Sequence, residues 1–129
     1  MQAREIPRQQ WTDFFDTFST QHEDWIASIE IAGERVEARE LPLMGVSADR
    51  GGSEPNAIEI EIGRDAADRL THIIEDAEKV LFKQSDDEAQ IELEITSADG
   101  PDTVVRLRRG TRAEIPKRSR TGRSRKAGG

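Results

Sequence analysis

Four of the six aromatic residues of the chain lie close together near the N-terminus, at the spacing of an α-helix. Trp11, Phe14, Phe15 and Phe18 fall within one arc of about 100° on a helical projection, and polar residues occupy the opposite side. Each ring that is buried contributes roughly 1.5–3 kcal/mol by transfer from water. The pattern predicts a helix over about residues 8–21 whose aromatic face forms the centre of the core. An exposed aromatic docking face is the alternative.

After this helix the pattern changes to two-fold alternation, which is typical of strands with one buried face. A hairpin is predicted between residues 26–31 and 36–39 around a tight turn at 33–34. In that register Ile31 lies opposite Val36.

Apolar residues at alternate positions predict further strands, of which the one over 58–62 is the most regular. Pro42 has no amide hydrogen and marks a bend or an edge ahead of the next strand. Residues 1–5 are polar and are expected to fray. The other predicted strands are 43–46, 70–74 and 80–82 around a turn at 75–76, and 91–95 with 105–108.

The last two strands have the pattern of a hairpin in which apolar and charged pairs agree on one alignment. That alignment sets Leu93 opposite Leu107 on the inner face and Glu92 opposite Arg108 on the outer face. Both inner positions are apolar and the outer ones carry opposite charges, so this register is the predicted one.

One helix and about eight short strands at hairpin spacing predict an α+β fold that is mainly β. We expect an N-terminal amphipathic helix packed on an antiparallel open barrel or strongly twisted sheet. A two-sheet sandwich is the alternative.

Several short segments of the chain resemble those of a known family. In chain order they are Ile6-Pro7-Arg8, Trp11, Phe14-Phe15-Asp16, Phe18-Ser19, His22-Glu23, Val36-Glu37-Ala38-Arg39, Leu41-Pro42-Leu43, Gly45-Val46-Ser47-Ala48-Asp49, Thr71-His72 and Ser97-Ala98-Asp99-Gly100. Over about residues 4–108 the chain resembles an uncharacterised bacterial family catalogued as domain of unknown function 5335. Asp24 stands where the family often has Gly, which Asp can replace because it tolerates turn conformations. The resemblance implies a shared domain and brings no reaction, cofactor or partner.

The composition limits the kinds of chemistry to expect. The chain has no cysteine, so disulfides, thiolate metal sites and cysteine nucleophiles are excluded and a reducing compartment fits. Apolar runs are too short for a transmembrane helix or a signal peptide. A cytoplasmic protein is therefore expected, with no membrane partner.

Charge divides the chain into two parts. Residues 111–129 carry seven Lys or Arg and one Glu, whereas residues 1–110 have a net charge of −13 within the total of −7. We predict a single domain over 1–110 and a disordered basic tail over 111–129. The tail contains no aromatic residue on which bases could stack, so no preference for single-stranded nucleic acid is predicted for it. Its candidate polyanion-binding residues are Arg112, Lys117, Arg118, Arg120, Arg123, Arg125 and Lys126.

The sequence gives little evidence for a catalytic site. His22 and His72 are the side chains whose usual pKa lies near neutrality, and a proton-transfer role would need one of them beside a carboxylate in a pocket. A lone strand histidine such as His72 is usually structural or solvated. Gly51-Gly52 lacks the Lys-Ser/Thr ending of a phosphate loop, and no acidic segment has the spacing of a calcium loop. No cofactor, metal ligand or catalytic residue is predicted, and an enzyme is the less favoured interpretation.

Three functional hypotheses follow. The first is a small non-catalytic interaction or accessory module with a protein partner. The second is non-specific binding of a polyanion such as nucleic acid through the basic tail. The third is a small-ligand binder or enzyme with a pocket near His72 or the loop 45–56. The sequence does not indicate an oligomeric state.

Overall fold

The computed structural model describes residues 2–35, 40–48, 56–98 and 100–114. Two short 3-10 turns, Arg8–Gln10 and Ala66–Asp68, accompany the regular elements. Those elements are β1 Gln2–Ile6, α1 Trp11–Gln21, β2 Ile26–Ile31, β3 Glu34–Arg35, β4 Leu41–Ala48, β5 Ile58–Gly63, β6 Arg69–Ile74, β7 Ala77–Gln84, β8 Gln90–Ser97 and β9 Thr103–Arg108.

The strands form one antiparallel sheet in the order β1-β7-β8-β9-β2-β4-β5-β6, and the two-residue β3 pairs with β2 beside this path. The prediction of a mainly β fold with one N-terminal helix and about eight strands is therefore confirmed. β4 changes partner at Pro42: it pairs with β2 up to that residue and with β5 from Leu43 onward. No helix in the described segments is long and apolar enough to cross a membrane.

The sheet curls strongly. This follows from β6 and β7, which are neighbours in sequence although they are far apart in the order of the sheet. Only Glu75 and Asp76 separate the end of β6 from the start of β7, so Ile74 and Ala77 are at most about 11 Å apart. The amide of Ala77 donates to the carbonyl of Asn56, just ahead of β5, at 3.0 Å. Both strands predicted around the turn 75–76 exist, but they belong to different pairs. The result is an open barrel whose described edge strands, β1 and β6, do not pair with each other.

Helix α1 fills the interior of this barrel. Phe15 is fully buried, and Trp11 and Phe18 are 4% and 2% exposed, as the spacing of the rings predicts. The indole nitrogen of Trp11 donates to the carbonyl of Ile6 at 2.9 Å, so its one polar atom is satisfied. The hydroxyl of Ser19 bonds both backbone groups of Val46, at 2.9 and 3.0 Å, and fixes α1 against β4.

The core is built from the inner faces of the strands around these rings. Alternation along β5, β8 and β9 turns every second residue inward, and these side chains are almost fully buried. They are Ile58, Ile60, Ile62, Ile91, Leu93, Ile95, Val105 and Leu107.

The N-terminal residues form a strand, so the expectation that residues 1–5 fray is wrong. β1 pairs with β7 from Gln2 opposite Gln84 to Ile6 opposite Val80. Ile6 is 1% exposed and anchors the strand, and main-chain hydrogen bonds to β7 do not require apolar residues elsewhere in it.

The predicted register of the first hairpin is also wrong. The turn is Ala32-Gly33, with φ of 54° and 86°, and Ile31 lies opposite Glu34. Two positive φ values are characteristic of the type I′ turn, whose twist matches that of the flanking strands. Val36, the predicted partner of Ile31, and the rest of 36–39 lie outside the described residues.

The β8–β9 pair forms, but its register differs from the predicted one by two residues. Leu93 lies opposite Val105, and Glu92 lies opposite Arg106. A shift of two leaves every side chain on its predicted face, so alternation could not distinguish the two alignments. In the observed register Thr103, which is 2% exposed, is the first residue of β9 and lies opposite Ile95. This register also places Arg106 where it pairs with carboxylates on both neighbouring strands.

We expect Phe15→Ala to lower the free energy of unfolding by about 3–5 kcal/mol, because the missing ring leaves a cavity in a fully buried site. Urea unfolding measures the change. Asp16→Ala, on the exposed side of the same helix, should change it by less than about 0.5 kcal/mol. Equal effects of the two substitutions would show that the ring is not central to the core.

Candidate functional site

A groove of about 490 Å³ lies where α1 meets β1, β7 and the end of β9. We call it the aromatic groove and define it by Arg4, Phe14, Phe18, Trp25, Phe82 and Arg109. Its volume is in the range of ligand sites, about 300–1,000 Å³. Glu88 is the one carboxylate among the described residues that line it.

The floor of the groove is a cluster of rings from the helix and the sheet. Phe14 and Phe18 are one helical turn apart, with ring centroids at 5.7 Å and planes inclined by 28°. Phe82 of β7 meets Phe14 edge-on at 5.7 Å and Phe18 at 6.2 Å. Phe14 and Phe82 are only partly buried, so their outer surfaces form part of the groove.

Two exposed arginines lie over these rings. The guanidinium carbon of Arg4 is 5.8 Å from the ring centre of Phe14 and 5.7 Å from that of Phe82. Arg109 lies 5.4 Å from the ring of Trp25. All three distances fit cation–π contacts. Arg109 also contributes, as the smallest of several causes, to a lowered pKa of Asp87, whose hydrogen bond from Ser85 is the largest cause.

His22 closes the inner side of the groove. Its Nδ1 is 2.9 Å from the carbonyl of Phe18, and since a carbonyl only accepts, Nδ1 carries the proton. Its ring packs on Phe18 at 4.4 Å and edge-on to Trp25 at 4.7 Å. Burial lowers the pKa of His22, and the hydrogen bond to Phe18 offsets this in part. The neutral ring is therefore part of the aromatic surface at pH 7.

A sharp turn after α1 brings Trp25 next to His22. Asp24 has φ of 71°, a left-handed conformation that Asp adopts more readily than most residues. Its amide donates to the carbonyl of Leu43 at 3.0 Å.

His72 lies at the other side of the barrel. It is opposite Ile60 in the β5–β6 pair and therefore faces inward, between Leu70 and Ile74. Burial lowers its pKa. A cleft of about 280 Å³ adjoins it, with Asp76 among its lining residues. Most of the loop 45–56, the second place where a pocket was expected, lies outside the described residues.

Carboxylates do not converge on either histidine to form a metal site within the described segments. On the outer face of the sheet, carboxylates pair with arginines. There Arg106 pairs with Glu30 at 3.3 Å and with Glu92.

The first residues of the predicted tail fold back on β9. Glu114 pairs with Arg108 at 2.7 Å and accepts from the amide of Thr111 at 2.8 Å. These bonds, the one from Arg108 above all, lower the pKa of Glu114 to about 2 and raise that of Arg108. Arg108 also pairs with Glu40 at 2.8 Å.

Of the predicted polyanion-binding residues, the structure describes Arg112, which is exposed in the turn after β9. The others, Lys117, Arg118, Arg120, Arg123, Arg125 and Lys126, lie outside the described residues. Arg4 and Arg109 were not among the predicted site residues. Arg4 alternates with Ile6, and this two-residue spacing was the one signal that could have placed Arg4 on the inner face of a strand.

Comparison with known proteins identifies the family of this domain. The model of a family of unknown function, DUF5335, matches residues 2–116, which is most of the chain. The chain belongs to this family. The resemblance seen in the sequence is thereby confirmed, and the match extends through the turn that Glu114 closes. Searches of curated proteins and of solved structures find no match.

We expect carboxyl NMR titration to show Glu114 with a pKa of about 2, and Arg108→Gln to return it toward 4.5. Because the pKa of the folded state is lowered, the contribution of the pair is present above the unfolded-state value and is lost as the pH falls through about 2. Arg106→Gln, on the same strand, is the control and should leave the Glu114 titration unchanged. A Glu114 pKa near 4.5 in the unmodified protein would contradict the pairing.

A second titration concerns His22, whose imidazole proton signals should titrate below the usual value of 6.5. Since the unfolded chain then binds the proton first, stability should decline as the pH falls below 6.5. His22→Gln should remove this part of the pH dependence, and His72→Gln should remove only the part due to His72. A His22 pKa at or above 6.5 would show that the ring is not desolvated in the groove.

Proposed function

We propose that the protein is a small non-catalytic interaction module that binds its partner in the aromatic groove. The observation that carries the proposal is the position of Arg4 and Arg109, two exposed guanidinium groups held over partly exposed rings. Aromatic and arginine side chains are the residues that most often dominate binding energy at interfaces.

The rings of the groove divide into two groups by burial. Phe18 is 2% exposed and belongs to the core. Phe14, Trp25 and Phe82 are packed against the core but remain partly exposed. A bound partner would remove their remaining surface from water, at roughly 25 cal/mol per Å².

The width of the groove suits an extended partner. β1 and β9 are separated by β7 and β8, so their main chains are about 14 Å apart. Arg4 therefore lies on β1 at one side of the groove, and Arg109 lies just after β9 at the other side. A chain lying across this end of the sheet could contact both.

The expected bacterial and cytoplasmic setting belongs to this proposal. It is supported by the family resemblance and by a composition with 35% charged residues and no cysteine.

Co-purification with two matched double variants tests the proposal. Arg4→Ala with Arg109→Ala removes two cations from the groove, and Arg64→Ala with Arg69→Ala removes two exposed cations around β6. We expect material that co-purifies with the full chain, measured as protein on gels and as nucleic acid by ultraviolet absorbance, to be lost in the first variant. The second variant should retain it, because its arginines are remote from the groove. Equal retention by both would exclude the groove as the binding surface.

A further inference from the structure

The aromatic groove presents two chemistries side by side: partly exposed aromatic rings and positive charges. Arg4 covers parts of Phe14 and Phe82, and Arg109 covers part of Trp25. A matching ligand carries planar groups and negative charges at close intervals. Nucleotides in a strand repeat that combination, since each has a base and a phosphate.

Charge complementarity favours a polyanion over a single small anion. Residues 1–110 have a net charge of −13, yet the cations of the groove outnumber its one described carboxylate, Glu88. Arg109 is followed in the sequence by Arg112 and by six Lys or Arg residues between positions 117 and 126. Lys117 is eight residues from Arg109 and thus no more than about 29 Å away along the chain. A ligand with many charges in a row could contact both the groove and these cations.

The rings favour a single strand over a duplex. Bases in a duplex are already stacked on one another, so their faces cannot reach Phe82 or Trp25 at the floor of a concave site. An acidic peptide offers charge, but few planar groups. We therefore infer, on the basis of the proposed function, that the groove binds single-stranded nucleic acid, with bases on the exposed parts of the rings and phosphates on the arginines.

Binding of fluorescently labelled oligo(dT) to the full chain tests this inference, with a duplex of equal length and poly-glutamate as comparison ligands. Tryptophan fluorescence adds a direct readout. The chain has two tryptophans, and Trp11 is 4% exposed, so quenching by stacked bases reports on Trp25 in the groove. We expect oligo(dT) to bind more tightly than the duplex and to quench, whereas poly-glutamate should do neither.

Substitutions in the full chain separate the contributions. Phe82→Leu keeps an apolar side chain and should weaken oligo(dT) binding on the order of tenfold by removing a stacking face. Arg4→Gln, at an exposed position, should weaken it and lower the slope of log K against log salt by about 0.7. Glu88→Gln should strengthen binding, because it removes a negative charge from the groove. Arg69→Gln, on β6, is the matched control and should have little effect.

Changing the six cations of residues 117–126 to Gln should lower the salt dependence further but leave the quenching of Trp25 at low salt. The inference is overturned if oligo(dT) does not bind, if the duplex binds as tightly without quenching, or if Phe82→Leu and Arg4→Gln both leave binding unchanged. Tight binding of poly-glutamate with quenching would assign the groove to acidic peptides. If groove variants lose co-purifying protein while oligo(dT) never binds, the proposed function stands and this inference fails.

Discussion

The fold depends on the burial of α1 against the inner face of the sheet. An antiparallel sheet with one apolar face must cover that face, and curling alone leaves an opening along the described edges β1 and β6. Phe15 and its neighbours on the helix fill the enclosed volume, and the hydroxyl of Ser19 fixes the helix to β4. Every strand except the two-residue β3 contributes inner residues to the cluster that contains the helix rings, so the helix and the sheet share one core.

The same packing creates the aromatic groove. The aromatic arc of α1 is wider than the interior, so Phe15 and Phe18 are buried while Phe14 comes to the open side. There it meets Phe82 from β7, and Arg4 covers both rings. Phe18 contributes to the core and to the groove at once. Stability and the proposed binding surface therefore share a side chain and cannot vary independently at this point.

Local patterns in the sequence predicted the helix, the strands that follow it and the inner and outer faces of the β8–β9 pair, but not β1, which was expected to fray. They could not predict the features that depend on distant parts of the chain. In the observed β8–β9 register Arg106 pairs with Glu30 as well as Glu92, and Glu30 lies on a third strand. The first turn has a non-glycine residue, Ala32, at positive φ, a conformation that glycine would have signalled. Arg4 lies opposite Phe82 in the groove because β1 pairs with β7. The periodicity within either strand does not indicate which strand it pairs with.

The distribution of positive charge matters more here than the total of −7. On the outer face, Arg106 and Arg108 lie between carboxylates that neutralise them: Glu30 and Glu92 for the first, Glu40 and Glu114 for the second. In the groove, Arg4 and Arg109 are held over rings, a contact that orients a guanidinium and leaves its positive charge in place. An acidic surface over most of the domain then directs anionic ligands away from the sheet and toward this one end. For that reason a negative net charge is compatible with binding of a polyanion at the groove.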